Sequence, residues 1–298
     1  MPASTGSTGL YTSPYAASGR WLRGNVHMHQ YCCGHFDLGL SGLLYRLLGY
    51  DFVAITDHNQ AHRPDAIQRW AEVAGLMIVP GEENGLSDHI IELGVHDVTP
   101  TLSDDYGERV RALRAAGGFV IGCHPQEYGA RGEAQIRQAA DELHAVEIYN
   151  ALREARGTDE DRNIALWDEI LSQGKQLWAV AGDDFHQSMI GPAQGWVQVQ
   201  VPVDCDVTWP LIVDQLKAGA FYASTYPRFE TIALADGLLT VVADNRTQQL
   251  RVIGEGGTER FSGSGSRLTW TVEDVGCYFR VEAESGRKRA WSQPFYRG

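Results

Sequence analysis

The sequence predicts an α/β fold: a barrel of β/α units followed by a small antiparallel β region. From Trp21 to about Ser224, short apolar runs (DFVAIT, LMIV, GGFVIG, AVEIY, QLWAVA) alternate with segments of helical periodicity, which is the rhythm of repeated β/α units. Histidines and acidic residues stand at the C-terminal ends of those runs, where a β/α barrel builds its active face. After Tyr226 the pattern changes to two-residue alternation between glycine-rich turns, as in antiparallel strands.

Taken in order, residues 1–20 are rich in Ser, Thr, Gly and Ala and predict a poorly ordered arm. Residues 21–224 form the barrel region. Two of its helices are plain: Ser103 to Gly117 repeats Tyr106, Val110 and Leu113, while Thr158 to Gly174 repeats Ile164, Trp167 and Leu171 between a capping Thr and a terminating Gly. Several such units over about 200 residues favour a barrel, although a doubly wound sheet has the same rhythm. Within residues 225–298, Leu268, Trp270 and Val272, then Cys277, Phe279, Val281 and Ala283, alternate with polar residues, and GEGG and GSGSG supply turns. A small sandwich-like domain with a packing or substrate-shaping role is expected there.

Composition narrows the function. A net charge of −13 disfavours a groove that tracks a long nucleic-acid backbone, which needs a basic stripe. A small or short substrate is expected instead. No apolar run approaches membrane-spanning length and no signal-like segment opens the chain, so a soluble, cytoplasmic protein without membrane partners is expected. Five cysteines, an odd number, suit free thiols in a reducing compartment.

The stretch GNVHMHQYCCGHFD, residues 24–37, sets His27 and His29 on one face of a strand and Val26 and Met28 on the other. Both imidazole and thiolate can bind a metal, so Cys32 and Cys33 compete with the histidines at this point. Further along, DFVAIT leads into Asp57 and His58, LMIVPG into Glu82 and Glu83, GGFVIG into Cys123 and His124, and LWAVAG into Asp183, Asp184 and His186, while His89 opens HIIELGV. Seven histidines belong to this set; His62 and His144 fall in helical patterns and are expected to be solvated, and His96 could stand behind the ligands. Asp57, Glu82 and Asp183 neighbour the candidate ligands and could orient imidazoles or tune a bound water. So many imidazoles and carboxylates at one barrel end call for a shared cation, because burying them unpaired is costly.

The strings VHMH, AITDHN, VPGEEN, DHII, GCHP and AGDDFH, in that order, resemble the sequence blocks of the PHP (polymerase and histidinol phosphatase) superfamily over roughly residues 24–190. The tail, GAFYASTYPRFETI leading into β structure, is loosely similar to the CehA/McbA-type branch. The resemblance implies a distorted (β/α)7 TIM-like barrel with two to three divalent ions. It implies one metal on His27, His29, Glu83 and Asp184, a second on Glu83, His89 and His124, and a third on His35, His58 and His186, with no role for Cys32 or Cys33. CGH stands where the family often has SDG, similar to all-histidine trinuclear members.

A His/carboxylate cluster suits zinc, manganese or iron. The expected chemistry is hydrolysis by a metal-activated water, with Glu83, His124 and Asp184 as the catalytic residues. The expected substrate is a small phosphate ester or short nucleotide. Arg131, Arg153 and Arg228 are candidates to grip its phosphate, since Arg offers a bidentate fork. Hydrolysis of a carboxylic or carbamate ester is the alternative, and a non-catalytic metal-binding module a further one.

Overall fold

The computed structural model describes residues 10–30, 38–85, 88–100, 103–186 and 191–298. The segment preceding the barrel contributes β1 (Tyr11–Thr12), and the barrel opens with β2 (Arg20–Asn25). The apolar runs become β3 (Phe52–Ile55), β4 (Met77–Asn84), β5 (Ile90–Leu93), β6 (Phe119–Gly122), β7 (Ala145–Asn150) and β8 (Trp178–Gly182). Nearly every residue of these strands is buried, because helices cover one face and packed side chains fill the other. The helices are α1 (Leu38–Leu47), α2 (Pro64–Ala74), α3 (Tyr106–Ala116), α4 (Gly129–Ala139), the short α5 (Ala151–Ala155), α6 (Glu160–Ser172) and, later in the chain, α7 (Trp209–Lys217).

α3 occupies the predicted span. The Asp105 side chain caps it by accepting from Glu108 N, and Gly117 ends it at φ 97, where a side chain would be strained. At α6 the cap is Asp159, which accepts from Asp161 N; the expected cap, Thr158, instead gives its backbone N–H to Arg153 O.

β2 to β8 are neighbours in one curled sheet. Six of the seven run parallel, whereas β5 is antiparallel to both β4 and β6. This departs from seven β/α units, and chain length explains it: only residues 85–89 join β4 to β5, too few for a parallel crossover. At the C-terminal rim an isolated parallel bridge between Met28 and Phe185 brings the continuations of β2 and β8 together.

The sheet also continues outward from β2. β9 (Trp196–Val201) pairs antiparallel with β2 and with β10 (Phe221–Ser224). The remaining strands are β11 (Phe229–Ala235), β12 (Leu238–Ala243), β13 (Gln249–Gly254), β14 (Thr258–Ser264), β15 (Arg267–Thr271), β16 (Tyr278–Ser285), β17 (Lys288–Ser292) and β18 (Phe295–Arg297). All pair antiparallel. β17 hydrogen-bonds to β10, so this region extends the barrel sheet, while β11, β12 and β15 form a second sheet. Between them lies a core that includes Tyr222, Phe229, Leu239, Val252, Trp270, Phe279 and Val281.

Residues 10–20, expected to be poorly ordered, are tied to this core. β1 pairs with β18, and Tyr11 and Tyr15 are buried. Tyr15 Oη donates to Phe221 O and accepts from Gln293 N. Composition missed this because two buried aromatic anchors outweigh the polar residues around them. Gln293 in turn accepts from Ala179 N and donates to Ala179 O, so a side-chain amide replaces a strand partner along β8. A buried ion-pair network completes the join. Arg280 grips both oxygens of Asp168 on α6 at 2.8 and 2.7 Å and holds Glu282 at 2.6 Å.

Among the described residues, no helix is long and apolar enough to cross a membrane. Cys123, Cys205 and Cys277 are free thiols; Cys32 and Cys33 lie outside the described residues.

Candidate metal centre

The strand ends converge on one carboxylate. Alternation along β4 turns Glu83 into the barrel and Glu82 away from it. Around Glu83, His124 Nε2 stands 2.8 Å and His89 Nδ1 2.9 Å from Oε1, and His58 Nδ1 2.9 Å and His29 Nε2 3.2 Å from Oε2. From the opposite side Asp184 Oδ1 lies 3.3 Å from the Nε2 atoms of both His27 and His29 and 3.3 Å from His186 Nδ1. The Met28–Phe185 bridge makes this possible, because it sets residues 27–29 beside residues 184–186.

Backbone conformation aims two of these groups. His124 and Asp184 both adopt positive φ, 29° and 51°, which costs energy for a residue with a Cβ and concentrates at functional positions. His58 and His89 are the more solvent-exposed members, at 32% and 16% of their side chains, whereas His27, Glu83, His124 and Asp184 are essentially buried.

Charge is unevenly balanced here. Burial opposes protonation of His27, but the carboxylates of Asp184, Glu147 and Glu83 outweigh it and hold the imidazolium up to about 10. Burial likewise works against ionised Glu83 and Asp184, yet His27 and the other imidazoles press both well below the usual carboxylate range. The pocket thus demands a positive charge. His27 Nε2 is buried and makes no hydrogen bond. Among the described residues, four sets of donor atoms lie within 4.8 Å of one another: His27, Glu83 and His124; His27, His29 and Asp184; His58, Glu83 and His89; and His29, His58 and His186. Nitrogen and oxygen donors in such sets fit divalent transition metals.

These sets overlap the expected grouping and share ligands between its members. His58, expected with His186, also faces Glu83 and His89, and His29 completes the set with His58 and His186. His35 lies outside the described residues.

The expected supporting residues are mostly replaced by others. Asp57 accepts from Gln30 N at 2.6 Å and pairs with His62 at 2.7 Å, so it orients an imidazole outside the cluster. His62 is therefore buried rather than solvated. Asp183 accepts from Tyr45 Oη and from the backbone N–H groups of Ala193, Gln194 and Gly195, which anchors the chain after β8. Glu82 accepts from Thr99 N and faces away from the cluster. His144 is half-buried against Phe119, accepts from Val120 N, and is held neutral, its pKa lowered to about 4 by burial and by Arg114 and Lys217. His96 contacts His62 O and the ring of Trp209.

Glu147 on β7 takes the supporting role. Its Oε1 holds His27 Nδ1 at 3.0 Å, which leaves Nε2 facing the cluster, and its Oε2 accepts from His124 N and Asn150 Nδ2. Asn150 also reaches Asp184 Oδ2 at 3.3 Å and caps α5 by accepting from Arg153 N. The signal was a carboxylate within the apolar run AVEIYN, where an ionised residue needs a partner.

Arg153 is paired with a cluster residue: its Nε lies 3.4 Å from Asp184 Oδ2, and its Nη1 pairs at 2.6 Å with Glu127, which also faces His124 Nδ1. Arg131 is exposed and lies over the Tyr128 ring. Arg228 pairs with Asp244 of the C-terminal β region.

No family model matches the chain, and no curated protein matches it. Solved structures do. A two-domain protein from Bacteroides vulgatus, containing a predicted PHP-like metal-dependent phosphoesterase, aligns over 99% of this chain and 92% of its own, with 14% identity and a TM-score of 0.55. A candidate metal-dependent phosphoesterase from Bifidobacterium adolescentis aligns over 65% of this chain and 96% of its own, with 15% identity and a TM-score of 0.44. An amidohydrolase from Chromobacterium violaceum with bound sulfate and no metal covers 64% and 96%, with 14% identity and a TM-score of 0.41. The first alignment shows a shared fold along nearly the whole of both chains; the other two are too distant to bear on it.

Proposed function

We propose that this chain is a metal-dependent hydrolase of the PHP type, in its CehA/McbA-like branch, that cleaves a small phosphate ester or short nucleotide. The observation that carries the reading is Glu83, a buried carboxylate with four imidazoles within 3.2 Å, facing Asp184 across the pocket. Two or three divalent ions bound there would supply an activated water and neutralise charge on the phosphoryl group. His27, His29, Glu83 and Asp184 would hold one ion, His89 and His124 with Glu83 a second, and His58 and His186, with the expected help of His35, a third.

The chain's own residues do the rest. Glu147 keeps His27 presenting Nε2, and Arg153, half-buried beside Asp184, would hold an anionic oxygen of the substrate. The net charge of −13 favours a small substrate over a long polyanion, and no membrane partner is proposed.

The test is a panel of aryl phosphate mono- and diesters, aryl carbamates and aryl carboxylates given to metal-loaded protein. Turnover of a phosphoester that stops on chelation is expected. Turnover of carbamates or carboxylates alone would replace this reading with the ester-hydrolase alternative, and turnover of none, with metals retained, would refute it.

A further inference from the structure

We propose that Tyr128 is a catalytic residue of this centre, its hydroxyl donating a hydrogen bond to a substrate oxygen as negative charge builds there. The inference rests on the hydrolytic reading above.

Tyr128 ends the 3-10 turn Pro125–Tyr128 that follows His124 directly. Its ring lies against two cluster imidazoles, with centroids 5.8 Å from His124 and 6.1 Å from His89. The hydroxyl is shut off from solvent and has no hydrogen-bond partner. Both of those imidazoles face Glu83 Oε1, so the ring lies on the Glu83 side of the cluster, with Arg131 over its outer face. An unpaired buried hydroxyl is rare and unfavourable, because it has given up water for nothing.

Packing alone does not account for it, since a phenylalanine would fill the same space without that loss. Because this donor is shielded from solvent, its natural partner is a substrate oxygen entering beside His89 and His124. A donor fixed in a dry pocket strengthens as its acceptor gains charge, which is the requirement for favouring the transition state. Arg153 would hold the same group from the Asp184 side.

The test compares wild type with Tyr128→Phe, both metal-loaded. Metal content and Tm are expected to hold or Tm to rise slightly. The dissociation constant for inorganic phosphate should weaken, and kcat on an aryl phosphate should fall with little change in KM, each by about tenfold to a hundredfold, as for a lost hydrogen bond to a charged oxygen. Phosphate affinity and kcat within twofold of wild type would overturn the assignment, and so would loss of metal or a fall in Tm, which would make Tyr128 a packing residue. If wild type binds no phosphate and cleaves no phosphoester, the phosphoesterase reading fails and this one with it; failure of the Tyr128 assignment alone shows as an active wild type with an equally active variant.

Discussion

Glu147 Oε1 stands 3.0 Å from His27 Nδ1, and both side chains are wholly buried. The pair ties the middle of the barrel to the centre at its rim, because the same carboxylate also holds His124 N and Asn150. Partners that orient a ligating imidazole typically change metal affinity by 10–100-fold when removed.

Glu147→Gln should therefore weaken metal binding by about 10–100-fold, read by titration with a competing chelator, although Glu147 belongs to none of the four donor sets. An unchanged affinity would show that His27 is positioned by packing alone.

Glu83 belongs to two donor sets and His186 to one. Metal analysis of wild type should find two to three divalent ions per chain. Glu83→Gln should lose more than one of them and His186→Ala no more than one, because the bridging carboxylate is shared. Equal losses would contradict the sharing.

Arg280 is fully buried between Asp168 and Glu282 and clamps the C-terminal strands to α6. Arg280→Met leaves Asp168 buried without its cation, while Glu282 keeps Arg251 as a partner; stranding one buried carboxylate costs about 3–5 kcal/mol. Chemical denaturation should register that loss while metal content at low temperature stays at the wild-type value. A loss below about 1 kcal/mol would mean that solvent reaches that carboxylate.

Glu92 lies across from Glu82 on paired strands. Burial raises its pKa to about 7, with Glu82 adding to the rise and the Thr99 hydroxyl opposing it. The folded value is above the unfolded one, so the associated stability is fully present below about 4.5 and is lost as pH rises through about 7. Glu92→Gln should therefore be more stable than wild type at pH 8, by roughly 2 kcal/mol, with the gap closing as pH falls toward 5. A gap independent of pH would exclude titration of Glu92 as its source.

Much of the centre was legible because strand periodicity and position in a β/α unit are local properties. His27, His29, His58, Glu83, His89, His124, Asp184 and His186 all sit at the ends of recognisable runs, and the structure brings these ends together. The supporting residues were harder to read. Asp57, Glu82 and Asp183 are next to candidate ligands in sequence, but Glu82 points to the opposite face of β4 from Glu83, Asp57 is taken up by Gln30 and His62, and Asp183 by Tyr45 and the backbone of residues 193–195, so adjacency marked the wrong carboxylates. Glu147 is 120 residues from His27, and only the barrel's curvature sets them side by side. His62 looked solvated because its helical pattern does not show the Asp57 carboxylate that pairs with it.

By itself the sequence determined the alternation of strand and helix, the all-strand character of the chain after Tyr226, and the chemistry collected at one end of the strands, since each follows from residue type and spacing. The tertiary structure decided what spacing does not encode. It set the reversal of β5, the ordering of residues 10–20 by Tyr11 and Tyr15, and the sheet's continuation through β10 and β17. It also made the contact between Met28 and Phe185 that closes the rim. That contact joins segments more than 150 residues apart, and its geometry depends on how all the intervening strands pack and twist; without it His27 and Asp184 would not share a pocket.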